Sequence, residues 1–337
     1  MTLRKITLRN FRNSTHATFS FQQGVNWIEG PNGTGKTSIL EALHLLSTGQ
    51  SFRTHRLKEC IQTTHNAFMV EAEYEKEGVQ QTLSISFTDQ GRRYYDNGTA
   101  LPSAISLLGL LPSTLLDSKQ TSLIMGTPSQ RRKFLNIQIA QQYPHYAQEL
   151  VRYQQGLRQR NHLLKEEIRR SLDSWESALA KAALPIMRKR KELITFFNLH
   201  LKDPHRLAYL PSISENRWDD LKAFYEEQRE RDLRTGTTLQ GPHRDDVCLL
   251  FEGHPADQYA SEGQKRLFIA ALKSIEWEGL ASNTPTSPLF LVDDFGVHLD
   301  SSNQNLLFEG FFLFPQVIIT APQTLPFPGH RIPLSPP

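Results

Sequence analysis

Residues 30–37 read Gly30-Pro31-Asn32-Gly33-Thr34-Gly35-Lys36-Thr37, which matches the G-x-x-x-x-G-K-[ST] spacing of a phosphate-binding loop. The strand-like run Val25 to Ile28 precedes it and a helical pattern beginning at Ser38 follows it, so the context fits as well as the letters. Backbone N–H groups of such a loop point inward at phosphate oxygens, and the helix N-terminus behind them adds partial positive charge. Lys36 is then placed to reach the β and γ phosphates, and the Thr37 hydroxyl to ligate Mg²⁺. The chemistry this spacing implies is the binding of a nucleoside triphosphate with its magnesium.

Two further stretches extend this reading. Pro288 to Asp294 is an apolar run ending in Asp293 and Asp294, as expected of a buried parallel strand whose carboxyl end faces a phosphate site. Asp293 is the candidate metal ligand and Asp294 the candidate for polarising an attacking water. Asp294 is one methylene shorter than the Glu common in fast ATPases of this type, so slow hydrolysis is expected. Ser261-Glu262-Gly263-Gln264 opens another helix and, by itself, reads as an N-cap. About 30 residues before an Asp-Asp strand, S-x-G-Q also resembles the signature of ABC-type ATPases. That resemblance implies that Ser261, Gly263, Gln264 and the helix N-terminus face the γ-phosphate of a nucleotide held by a second subunit.

The elements that must position these residues alternate along the chain. Within the first hundred residues, LRKITLRNF, ATFSFQQGVNWIEG, AFMVEAEYEKEG and QQTLSISFTD show period-two patterning, interrupted by a helix with Ile39, Leu40, Leu43 and Leu46 on one stripe. From about residue 129 to 236, three- and four-residue steps through Leu150, Tyr153, Leu157 and Leu164, then Trp175, Leu179, Ile186 and Leu193, predict a helical lobe. Tyr146, Tyr153 and Trp175 fit its core better than a base-stacking platform. Strand-like runs return after about Leu239. The expected fold class is α/β, an ABC-type ATPase lobe with a P-loop and mixed sheet, split by an inserted α-helical lobe. Its parts are residues 1–128 and 237–322 for the two halves of the ATPase lobe, 129–236 for the insertion, and 323–337 for a Pro-rich, frayed tail.

Composition constrains the setting. The chain has 337 residues, Lys+Arg 38 against Asp+Glu 35 and a net charge of +3, so any nucleic-acid surface must come from local clustering. Two distant cysteines, Cys60 and Cys248, give no disulfide framework or zinc spacing. No apolar run approaches the roughly 20 residues of a membrane span, which points to a soluble cytoplasmic protein without a membrane partner. Basic residues gather in the helical stretch, among them Arg131, Arg132, Lys133, Arg169 and Arg170. These are candidate contacts to DNA phosphates, with a merely solvated helix face as the alternative.

Taken together, the chain resembles the RecF family over nearly its whole length. The resemblance rests on Leu8-Arg9-Asn10-Phe11-Arg12-Asn13, Leu40-Glu41-Ala42 after the P-loop, Ser51-Phe52-Arg53, and Arg131-Arg132-Lys133-Phe134-Leu135. It rests most on Gly241-Pro242-His243-Arg244-Asp245-Asp246 shortly before Ser261. It implies a weak, DNA-stimulated ATPase of recombinational and gap repair, with ATP and Mg²⁺ as cofactors, that closes as an ATP-bound homodimer on gapped duplex DNA. It also implies RecO and RecR as partners in loading RecA. Departures fall at Ser118-Lys119-Gln120, where a Pro-Glu-Asp stretch is usual and Gln120 is the candidate Q-loop glutamine, and at His298, before the D-loop acid Asp300. Where many ABC ATPases carry a switch histidine, this chain has Thr320; His243 is the nearest candidate for another sensor, with a loop histidine bonded to backbone as the alternative. These departures motivate a second reading, a nucleotide-gated DNA-binding scaffold with negligible hydrolysis. A transporter subunit fits the basic helical lobe poorly, and the chain is too short for long coiled-coil arms.

Overall fold

The computed structural model describes residues 1–117, 121–214, 217–296 and 301–335. The alternating runs near the start form β1 (Thr2–Phe11), β2 (Ser14–Ser20) and β3 (Gly24–Glu29). After helix α1 (Lys36–Thr48) come β4 (Phe68–Lys76), β5 (Val79–Thr88), β6 (Gly91–Asp96), β7 (Thr99–Leu101) and β8 (Ser113–Leu116). The next stretch holds α2 (Ser122–Met125), α3 (Pro128–Gln142), α4 (Pro144–Lys165), α5 (Leu172–His200) and β9 (His205–Leu210). It continues through α6 (Trp218–Glu227), α7 (Arg229–Thr235), β10 (Asp246–Phe251), β11 (His254–Pro255) and α8 (Ala256–Tyr259). The remainder is α9 (Glu262–Asn283), β12 (Leu289–Val292), α10 (Ser301–Phe311), β13 (Gln316–Ala321) and β14 (His330–Pro333).

The chain forms two compact units, residues 1–120 with 266–337, and residues 121–265. In the first unit an antiparallel sheet, ordered β2-β1-β4-β5-β6-β7, accompanies a parallel sheet ordered β14-β3-β13-β12-β8. Every residue of β12 and β13 is buried, as a parallel strand covered on both faces requires. Helix α1 contacts β1 and β4 of one sheet and β8 and β13 of the other. Its apolar stripe is therefore widened to nearly the whole circumference, and only Thr37 among its residues escapes burial.

The second unit is built on α4 packed along α5, with Tyr146 and Tyr153 in its core. Arg160 is fully buried and donates to Glu176 at 3.0 Å and to Asp232 and Thr238 at 2.6 and 2.8 Å, tying α4 to α5 and α7. Removing one acid would leave the guanidinium a single carboxylate partner, and removing both would strand a buried charge, a loss on the order of 3 kcal/mol or more. Here the sequence-based boundary is corrected. Residues 237–265, expected with the ATPase lobe, belong to the second unit because β10 pairs with β9, Asp246 opposite Leu210 through Phe251 opposite His205.

The tail is also corrected. Instead of fraying, it supplies β14, which runs parallel to β3 with Arg331 opposite Trp27. Arg331 pairs with Glu29, its guanidinium lies 5.4 Å from the Trp27 ring centroid, and Phe327 stacks on Phe308 at 4.2 Å. Prolines erased the alternating signal, yet β14 is an edge strand, where a missing N–H is tolerated. Among the described residues no helix is long and apolar enough to cross a membrane.

Candidate functional site

Strand β3 ends at Glu29, and the chain then bends through Gly33 and Gly35 into α1. Gly35 has φ +97, where side chains rarely settle, and its carbonyl accepts the N–H groups of Ser38 and Ile39 at 3.0 and 3.3 Å. The helix therefore begins at Lys36, two residues ahead of the sequence-based start at Ser38. The Lys36 ammonium donates to the carbonyls of Gly30 at 2.6 Å and Pro31 at 2.9 Å. Burial pulls its pKa down, while the charges of Asp294 and Asp293 pull it up.

Strand β12 delivers the two carboxylates to the same place. The hydroxyl of Thr37 donates to Oδ1 of Asp293 at 3.0 Å. Burial raises the Asp293 pKa to about 6, with the Thr320 hydrogen bond opposing the rise and the Asp294 charge adding to it. Asp294 itself stands at φ +54, turned out of the strand's register toward the cleft it lines. That cleft measures about 570 Å³ and is lined by Arg12, Asn13, Lys36, Thr37, Arg53 and Asp294 among others. The donor set fits the group the motifs imply: two hard oxygens, Thr37 Oγ1 and Asp293 Oδ1, converge where Mg²⁺ binds in such sites, beside an ammonium and a helix N-terminus for phosphates.

Next to the cleft, Glu41 is fully buried and collects donors from three segments. Arg12 Nε reaches it at 2.8 Å, Arg53 Nη1 at 3.4 Å, the Cys60 thiol at 3.7 Å, and the Ser51 hydroxyl also donates to it. Burial and then the Glu41 charge push the Cys60 thiol up to about 12, so it stays protonated. In the sequence, residues 8–13, 40–42 and 51–53 carry the family resemblance but no role of their own. The structure brings them together as one network that aims Arg12 and Arg53 at the cleft, and the signal that could have found it is a lone acid within the apolar stretch Ile39–Leu43 of the helix.

The other sequence-based candidates lie in the second unit or outside the described residues. Gln120, Lys119, His298 and Asp300 fall outside them. Ser261 and Gln264 form a reciprocal capping box, with Ser261 N–H to Gln264 Oε1 at 2.8 Å and Gln264 N–H to Ser261 Oγ at 3.3 Å. A side chain at Gly263 would meet nothing within 4 Å. Arg131 is not an unengaged cation: its Nε and Nη2 hold both oxygens of Asp246 at 2.7 and 2.8 Å. Arg169 pairs with Glu230 at the surface, Lys133 is half-buried, and Arg170 is exposed.

His243 is also accounted for. Its Nε2 meets the Thr238 carbonyl at 3.0 Å, and a carbonyl only accepts, so Nε2 carries the proton and Nδ1 accepts from the Tyr153 hydroxyl at 2.7 Å. Burial pushes its pKa down to about 4. Held this way inside the second unit, it is an internal strut.

A P-loop strand in a parallel sheet, a strand ending in paired acids two places away, and an antiparallel sheet sharing α1 define the head fold of ABC-type ATPases. The model of the RecF/RecN/SMC N terminal domain matches residues 2–324. An SMC head solved with the C-winged helix domain of ScpA shares this fold at 14% identity and a TM-score of 0.50, covering 95% of this chain and 90% of its own. Within that class the similarity is much closer to one branch. A DNA replication and repair protein RecF from Protochlamydia amoebophila is 38% identical over 336 residues, covering 95% of this chain and 94% of the relative, and one from Chlamydia abortus is 34% identical over 97% and 93%. The solved recombination mediator protein RecF-ATP of the RecFOR pathway superposes with a TM-score of 0.90 at 27% identity, covering 99% of this chain and 95% of that one. The chain belongs to the RecF family.

Proposed function

We propose that this protein is an ATP-dependent DNA-binding protein of recombinational gap repair, with weak DNA-stimulated ATPase activity. The observation that carries the reading is the meeting of Thr37, from the P-loop helix, with Asp293, from β12, at 3.0 Å beside Lys36. Lys36 would turn from the Gly30 and Pro31 carbonyls to the β and γ phosphates, which are stronger acceptors for its charge. The residues Gly30 to Ser38 would wrap the phosphates, and Thr37 and Asp293 would hold Mg²⁺. The ion's chemistry there is to neutralise phosphate charge. Asp294, projecting into the cleft, would orient and polarise the attacking water, with Gln120 as its Q-loop companion.

Completion of the site would come from a second copy. Ser261, Gly263 and Gln264 would present a hydroxyl, backbone N–H groups and a helix N-terminus to the γ-phosphate of that copy's nucleotide, and the open space at Gly263 suits such an approach. Two ATP molecules would then close a homodimer on DNA near single-strand gaps, through phosphate contacts from residues such as Arg132, Lys133 and Arg170. The solved relative's place in the RecFOR pathway supports RecO and RecR as partners in loading RecA, within the cytoplasm.

Sedimentation with and without a non-hydrolysable ATP analogue, on gapped DNA, tests the reading. A nucleotide-dependent dimer that retains DNA is expected, and a monomer under saturating analogue would refute it. The short side chain of Asp294 favours a second reading, a nucleotide-gated scaffold that scarcely hydrolyses. Single-turnover hydrolysis with saturating DNA separates the two.

A further inference from the structure

We propose that Arg132 and Arg244 form a two-arginine clamp for a phosphodiester of the DNA backbone, mounted on the turn at Gly241–Asp246. The proposal rests on the DNA-binding reading above and names where in the second unit a phosphate sits.

The turn is rigidly held. Arg244 N–H closes it onto the Gly241 carbonyl at 2.8 Å, and a Cβ on Gly241 would stand 2.3 Å from the Tyr153 hydroxyl, so the backbone lies hard against α4. Arg190 donates to the Pro242 carbonyl at 2.6 Å and to Asp245 at 2.8 Å. Buried Asp245 also accepts the Ser212 N–H at 2.9 Å and the Tyr209 hydroxyl. Asp245 is thereby matched with Arg190, and Asp246 with Arg131.

Four arginines thus meet this turn, Arg131, Arg132, Arg190 and Arg244, against two carboxylates, Asp245 and Asp246. The two left over are Arg132 and Arg244. Arg132 Nη1 donates to the Asp245 backbone carbonyl at 2.7 Å, which fixes its guanidinium next to the residue that follows Arg244. Arg244 is exposed, and among the described residues neither arginine pairs with a carboxylate. Burial and then the nearby charge of Arg190 weigh against the Arg132 cation, the charges of Asp246 and Asp245 favour it, and that of Arg244 opposes it. A fold that holds like charges together this way gains from an anion; planar guanidinium forks match carboxylate and phosphate oxygens alike, and on the DNA-binding reading the anion that reaches this surface is a backbone phosphate. The contact carries no base information, so it would grip any sequence.

A nucleotide phosphate has the same chemistry, and the test distinguishes the two. Full-length Arg244→Gln, Arg244→Lys and Arg132→Gln proteins, each checked by thermal melt, are titrated with a fluorescent gapped duplex between 50 and 200 mM salt (about the range over which phosphate contacts respond) and separately with ATP. Arg244→Gln should lower DNA affinity severalfold, reduce the slope of log affinity against log salt by about 1, and leave ATP affinity unchanged. Arg244→Lys should recover the slope, since the charge is kept. Folded Arg244→Gln protein with the parent's DNA affinity and slope overturns the clamp while leaving DNA binding intact. Loss of ATP affinity with unchanged DNA binding assigns the pair to nucleotide and overturns the proposal. A parent that binds no DNA at any salt overturns both the clamp and the reading on which it rests.

Discussion

The hydroxyl of Thr320 donates to Oδ1 of Asp293 at 2.8 Å and accepts the backbone N–H of Asp294 at 2.8 Å. One small side chain near the end of β13 thus holds the Asp293 carboxylate and the Asp294 backbone, at the position where many ABC-type ATPases carry a switch histidine. Thr320→Val keeps the shape and removes the bond. It should destabilise the protein by about 1–3 kcal/mol, because a buried carboxyl loses a partner. An unchanged thermal midpoint would show that the bond is not formed in solution.

Lys36→Ala and Asp294→Asn separate binding from turnover. The first should abolish ATP binding, as it removes the one cation within the loop. The second should bind ATP normally, lengthen the life of the ATP-bound dimer and slow hydrolysis by roughly 100-fold. Equilibrium titration and single-turnover assays read the two effects, and normal turnover in Asp294→Asn would move the water-polarising role elsewhere.

Ser261→Arg should bind ATP as a monomer, since its hydroxyl is needed only across the proposed interface. The substitution also breaks the capping box, at a cost of about 1 kcal/mol, so a melt must precede the interpretation. Mixing it with Lys36→Ala leaves one composite site with an intact loop and an intact signature, and partial ATP-dependent dimer formation should return. If the folded variant dimerises like the parent, Ser261 is only a helix cap.

His243 predicts an acid-side weakness. Its pKa is about 4 when folded against about 6.5 in an unfolded chain, so between these values the unfolded state holds a proton that the folded state does not. Stability should be full above about pH 6.5 and decline as pH falls toward 4, by up to about 3 kcal/mol from this residue. His243→Gln can still accept from Tyr153 and donate to Thr238, and it should flatten the decline. A melting curve whose pH dependence is identical in this variant would remove His243 as its source.

What the sequence made legible was local. The P-loop, the capped helix at Ser261 and the apolar run into Asp293 each declare themselves within about ten residues, because each owes its shape to neighbours in the chain. Partners distant in sequence were not legible. Arg131 looked like an available cation because Asp246, 115 positions away, leaves no mark on its surroundings. Glu41 looked like one letter of a motif until Arg12, Ser51 and Arg53 arrived around it. The prolines near β14 argued against a strand, and only the edge of the parallel sheet could overrule them.

That edge has a consequence for synthesis. β3, which carries the P-loop, lies between β13 and β14, and its bonds run from Asn26 to Val317 and from Glu29 to Arg331, across 291 and 302 positions. While a ribosome is still translating the intervening residues, the antiparallel sheet and the unit at 121–265 already have all their strands, but β3 has neither neighbour. The nucleotide loop is therefore framed only after both strands have emerged, and a polypeptide stopped short of β13 would be free to fold its other parts without acquiring a site for ATP.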